Sequence, residues 1–164
     1  MLCICPFSQL AGQGDWNRGI KKYTAARKHL PHQPELDFYL GAAYSKIGQS
    51  DQAIKTLHRS QRGFSDKNQY IVLAKAHIDK GEYALAEASL NQVLGYYPGL
   101  LTPHFWLSRI CFETGALAGA KRELEIIIAS DNHPNSGEIE QVKRDAIRAL
   151  EALNARELEG LNHY

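Results

Sequence analysis

A chain of 164 residues with 44% hydrophobic and 23% charged residues can bury a sizeable core, which excludes a disordered segment. Its formal net charge of +1 creates no strong global field, so neither nucleic acid nor a membrane surface is favoured by charge alone. Three cysteines give no disulfide framework, and no apolar run approaches the roughly 18 residues that a membrane span needs.

The chain opens on MLCICPF, which is apolar but short, lacks a basic leading region and is followed by no convincing cleavage site. It therefore does not read as a signal peptide. Cys3 and Cys5 are two apart and would fall on different sides of a helix, which is weak support for a metal site. Gly12-Gln13-Gly14 is too short to count as a nucleotide-binding loop.

From there the sequence repeats. Gly14, Gly48, Gly81 and Gly115 stand 34, 33 and 34 residues apart. Five residues after each glycine come Gly19, Ala53, Ala86 and Ala120, and nine after come Tyr23, Leu57, Leu90 and Leu124. Seventeen after come Pro31, Ser65, Pro98 and Asn132, all compatible with turns. Four columns in register across four units define a repeat array.

Each unit reads as two helices. The first helices are expected at Glu35–Ile47, Lys67–Lys80 and Thr102–Thr114, and the second at Asp51–Arg62, Glu82–Leu94 and Leu117–Ser130. Ser50 and Thr102 are expected as N-caps, with Pro103 at the first helical position. Each unit glycine ends a first helix in the left-handed conformation that only glycine adopts cheaply. Beyond the repeats, Asn135 and Glu138 have capping-box spacing, and Ile139, Val142, Ala146, Leu150 and Leu153 share one helical face over Asn135–Gly160. Such an amphipathic helix suits the end of an array, where the last repeat needs a polar cover.

The joint pattern is Leu40, Gly41, Tyr44, Gly48, Ala53 and Leu57 in the second unit. The third has Leu73, Ala74, His77, Gly81, Ala86, Leu90 and Pro98; the fourth has Leu107, Ser108, Cys111, Gly115, Ala120 and Leu124. The first keeps Gly14, Tyr23, Ala26 and Pro31, but Met1–Gly12 lacks the Leu-Gly pair. This pattern resembles the tetratricopeptide repeat over about residues 1–134. The resemblance implies an all-α, right-handed helical solenoid. Its divisions are a degenerate first repeat at 1–33, repeats at 34–66, 67–100 and 101–134, and a capping helix and tail over 135–164. Gly41, Ala74 and Ser108 would be the small residues that let the second helix approach, with Ala53, Ala86 and Ala120 facing them.

No catalytic signature accompanies the repeats. There is no HExxH, no zinc-ligand spacing, no G-x-S-x-G and no carboxylate pair in apolar surroundings, so no enzyme, metal or cofactor is indicated. His77 sits in the column of Tyr44 and Cys111 and reads as packed between helices, while His29 and His32 flank a turn proline and read as solvated. Arg18, Lys21, Lys22, Arg27, Lys28, Lys55, Arg59 and Arg62 cluster in the early second helices without interleaved aromatics, so a solvated face is favoured over nucleic-acid binding.

The resemblance also implies that first helices line a concave groove. By its register the groove columns are Phe38, Ile71 and Phe105; Ala42, Lys75 and Arg109; and Ser45, Ile78 and Phe112. An apolar stripe beside two cations suits an extended or helical peptide that carries a carboxylate. The columns depart from the family's Lys/Asn clamp for C-terminal carboxylates. The expectation is a non-enzymatic, cytoplasmic scaffold that binds a protein or peptide partner in this groove.

Two other readings stand beside it. Tyr96–Gly115 with the charged tail helix is similar to repeat tails that follow the membrane part of O-antigen-ligase-like proteins. The chain would then lie on the extracytoplasmic face of a bacterial membrane, with Leu2–Phe7 as the stump of the junction. Self-association is the other: residues 1–82 hold 12 Lys/Arg against 7 Asp/Glu, and residues 83–164 hold 7 against 11. Halves of opposite sign favour head-to-tail pairing.

Overall fold

The structure, a computed structural model, describes residues 13–30, 33–63, 66–131 and 137–161. Cys3, Cys5, His32 and the Asn135 capping position lie outside these residues. The described residues form α1 (Gln13–His29), α2 (Pro34–Lys46), α3 (Ser50–Ser60), α4 (Lys67–Asp79), α5 (Tyr83–Tyr96), α6 (Leu101–Glu113), α7 (Leu117–Ala129) and α8 (Gly137–Leu161). Wherever the periodicity sets a boundary for α2 to α8, it falls within two residues of the observed one. The fold class is all-α, as the repeat pattern implies, and among the described residues no helix is long and apolar enough to cross a membrane.

The chain divides into two compact units between Glu82 and Tyr83. In the first, α2 packs against α1, α3 and α4, and α3 also meets α4. Ala53, Leu57, Leu73 and Ala76 are buried together, with Phe38, Tyr44, Ile54 and Val72 packed on them. Gly41 makes this packing possible. A Cβ built there would lie 2.7 Å from Leu57 Cγ and 3.3 Å from the Ala53 carbonyl oxygen. No side chain fits that gap, so the small residue in the Leu-Gly pair is a requirement of helix approach.

In the second unit α6 packs against α5, α7 and α8, and α7 also meets α8. Leu101, Ala120, Leu124, Ile127, Ala146 and Leu153 are buried together. Ile139, Val142 and Leu150 pack on the same cluster, so all five residues of the expected apolar face of α8 cover α6 and α7. In this way α8 covers the apolar side of the α6–α7 pair, as a capping helix does.

The turns recur with the repeat. Gly48, Gly81 and Gly115 have φ of 76°, 74° and 78°. In each turn the residue after the glycine donates to the carbonyl five residues back: Gln49 to Tyr44 at 3.0 Å, Glu82 to His77 at 2.9 Å and Ala116 to Cys111 at 2.8 Å. This is a Schellman closure, and an L-residue at its left-handed position would cost about 1–2 kcal/mol.

Two start signals resolve differently. Ser50 is the first residue of α3 and is buried, while Gln49 holds the cap position without a side-chain bond. Likewise α6 begins at Leu101 after Leu100, not at a Thr102 cap. Burial of Leu101 in the core outweighs a hydroxyl cap, and Pro103 is tolerated in the first turn because no amide there has an intrahelical partner. Among α2, α3, α4, α6 and α7 the one side-chain cap bond is at α4, where Asp66 Oδ1 accepts from the Asn68 amide at 2.7 Å.

Candidate binding faces on the first helices

Residues at i, i+4 and i+7 share one helical face, which puts the three expected columns along α2, α4 and α6. In the first unit Phe38, Ala42, Ile71 and Lys75 are half-buried, whereas Ser45 and Ile78 are buried at 3% and 5% exposure. The latter two offer no surface. Lys75 Nζ donates to Asp79 Oδ2 at 3.1 Å and lies 3.5 Å from the Ser45 carbonyl oxygen of α2. The first expected cation is therefore already engaged within its own unit. What this face presents is mainly apolar: Phe38, Ala42 and Ile71.

The second unit brings its three expected residues together. Phe105, Arg109 and Phe112 line one half-open cavity of about 310 Å³. Its remaining walls are Ala120 and Leu124 of α7 and Ala149, Ala152 and Leu153 of α8. Ser108, also in the lining, donates its hydroxyl to the Phe105 carbonyl at 2.8 Å. Arg109 is exposed, with its guanidinium carbon 5.5 Å from the centre of the Trp106 ring, and Trp106 meets Phe105 edge-on at 6.1 Å. A cation held over an indole face keeps a fixed direction without surrendering its charge.

Sequence reasoning missed the part played by α8. Its apolar face was expected to seal the last repeat, yet Ala149 and Ala152 leave a cavity beside the seal. The alanines at 146, 149 and 152, three apart, were a legible sign of a strip without bulk.

The basic cluster of α1 and α3 behaves in two ways. Arg18, Lys21, Lys22, Lys28, Lys55 and Arg62 are exposed. Arg59 instead forks onto Asp37, at 2.9 Å and 3.2 Å, and Arg27 reaches the same carboxylate at 3.5 Å. Asp37, on α2, is buried at 9% exposure, so two of the eight cations bind α1 and α3 to α2. The Arg59 fork engages both carboxylate oxygens, and the single longer contact from Arg27 adds a tie from α1 to the same group.

The polar groups near the turns are structural in the same sense. Buried His77 meets Glu82 at 2.7 Å, and Lys80 bridges Asp51 and Glu82, each at 2.8 Å. Hydrogen bonds from Lys80 and His77 hold the Glu82 carboxyl below its ordinary value. Burial, with Glu123 and Glu87 nearby, pushes the Cys111 thiol up, which disfavours a reactive thiolate. Among the described residues no group of three or more His, Cys, Asp or Glu is placed to hold a metal ion.

The tetratricopeptide-repeat family pattern matches residues 71–134 and, separately, residues 35–64, together more than half of the chain. The chain belongs to the tetratricopeptide-repeat family. Its fold is similar to that of a crystal structure of MamA, at 18% identity and a TM-score of 0.66, covering 92% of this chain and 93% of that one. A second MamA crystal structure matches at 18% identity and 0.65, covering 92% and 87%. A structure of MamA MSR-1 C2 matches at 21% identity and 0.55, covering 90% and 98%. At such identities the likeness is one of fold. No curated protein sequence matches the chain significantly.

Proposed function

We propose that this chain is a non-enzymatic interaction module that holds a peptide or protein partner on the exposed faces of its first helices. The observation that carries the reading is the convergence of Phe105, Arg109 and Phe112 on one apolar cavity. These are three of the nine residues that the repeat register assigned to the groove, and their shared lining of the cavity supports the reading. A partner segment lying along this face places apolar side chains against Phe105 and Phe112 and a carboxylate on Arg109.

The test is site-specific photocrosslinking from exposed Phe112 in native lysate, with the captured protein then titrated against purified variants. Arg109→Glu is expected to weaken that partner by ~1–3 kcal/mol, roughly tenfold to a hundredfold, with helical content unchanged. Capture from exposed Lys21 or Lys55 but not from Phe112, or capture indifferent to Arg109→Glu, would place the binding surface elsewhere.

A further inference from the structure

We infer that the cavity between α6, α7 and α8 binds a medium-chain carboxylate, with the hydrocarbon chain in the cavity and the carboxylate on Arg109. This goes beyond the partner reading, because it concerns what can pass inside the walls and not what lies along the helices.

The lining decides the interior of the ligand. Phe105, Phe112, Leu124 and Leu153 line the half-open space with carbon, together with the methyl groups of Ala149 and Ala152. Ser108 supplies the lone hydroxyl, whose proton is already given to the Phe105 carbonyl. A peptide backbone pressed against these walls would find no hydrogen-bond partner on them and would lose water on its buried side, which is unfavourable. A hydrocarbon chain leaves nothing unsatisfied. The size agrees: about 310 Å³ is twice an apolar cavity that accepts benzene, which makes room for a chain on the order of ten carbons.

The mouth decides the head group. Arg109 is exposed, is held over Trp106 and makes no ion pair among the described residues. A guanidinium fork matches a carboxylate in two parallel hydrogen bonds. It does so in a unit whose residues 83–164 carry 7 Lys/Arg against 11 Asp/Glu. That surplus of negative charge repels a polyanionic head, so a single carboxylate is the best match. Apolar walls and one cation at the opening together describe an acyl chain with a monoanionic end.

Isothermal titration of the full chain with decanoate, below the concentration at which it forms micelles, tests this against decanol and decylammonium. The expected result is saturable one-site binding of decanoate, at least about tenfold tighter than either analogue. Arg109→Gln should reduce decanoate to the level of decanol. Ala152→Phe, at an exposed position on the cavity wall, should abolish binding while circular dichroism and the melting temperature stay at wild-type values. No saturable decanoate binding, equal affinity for all three probes, or binding retained in Ala152→Phe each overturns the assignment. Should a crosslinked protein partner depend on Arg109 while decanoate neither binds nor competes, the partner reading stands and this one fails.

Discussion

Gly41→Ala adds one methyl group to the α2–α3 contact, and two opposing effects can be weighed. Replacing glycine by alanine inside a helix ordinarily stabilises by about 0.5–1 kcal/mol, because glycine loses more backbone entropy on folding. Here the new Cβ would sit 2.7 Å from Leu57 Cγ and 2.9 Å from Leu57 Cδ2. Leu57 is fully buried and Cγ is its branch point, so the side chain cannot swing away. On the other side stands the Ala53 carbonyl oxygen at 3.3 Å, which is fixed in the α3 backbone. Overpacking of a closed core costs ~1–3 kcal/mol, so the net change is a destabilisation of ~0.5–2 kcal/mol.

The matched control is Gly95→Ala in α5, where the built Cβ meets nothing within 4 Å and only the favourable backbone effect remains. Urea unfolding followed by circular dichroism should therefore move the two midpoints in opposite directions. Hydrogen exchange at α2 and α3 amides should locate the loss in the first unit. Combining Gly41→Ala with Leu57→Ala adds a sharper requirement. Leu57→Ala alone removes a buried side chain at ~2–5 kcal/mol, but the double variant should be less damaged than the sum by ~0.5–3 kcal/mol, since the clash disappears with the leucine. A Gly41→Ala protein as stable as Gly95→Ala, or strict additivity in the cycle, would refute the argument from helix approach.

Asp37→Asn keeps the shape of the side chain but removes the charge that Arg27 and Arg59 share. Both arginines are about a third or more exposed and re-solvate, so the expected loss in urea unfolding is ~1–2 kcal/mol, diminishing in high salt. Glu82 has a folded pKa below its ordinary 4.5, so its contribution is fully present above that value and fades as pH falls toward the lowered one. Glu82→Gln should therefore lower the melting temperature at pH 6–7, and the gap to wild type should close on acidification below about pH 4. Burial, with Tyr39 stacked at 5.9 Å, pushes the Tyr23 hydroxyl up to about 12, and its neutral form favours the folded state. Absorbance at 295 nm should show one tyrosine ionising near pH 12 that Tyr23→Phe removes, with stability declining as pH rises through 10 toward 12.

Much of the scaffold was legible because the repeat makes local signals redundant. Gly48, Gly81 and Gly115 mark turns from composition alone, and all three take positive φ. The apolar face of α8 could be read from Ile139 to Leu153 because a helix that ends an array buries one stripe only. The site was less legible. Register placed Phe105, Arg109 and Phe112 on one face of α6, and they do share a cavity. The same register treated Ser45 and Ile78 as equivalents of Phe112, although both are buried. Column position fixes the direction of a Cβ, whereas exposure depends on what neighbouring helices bring to that spot.

The sequence by itself thus determined the helices, their order, their turns and the need for a small residue at Gly41, since all of these follow from helical period and backbone conformation. Tertiary structure alone decided which charges remain available. Lys75 and Arg109 occupy one column, yet Lys75 is tied to Asp79 while Arg109 stands over Trp106 and lines a cavity. It also decided that Arg59, apparently one of a solvated basic run, binds buried Asp37 from 22 residues away. Long side chains and the empty space between helices depend on three-dimensional neighbours, and no periodicity along the chain encodes them.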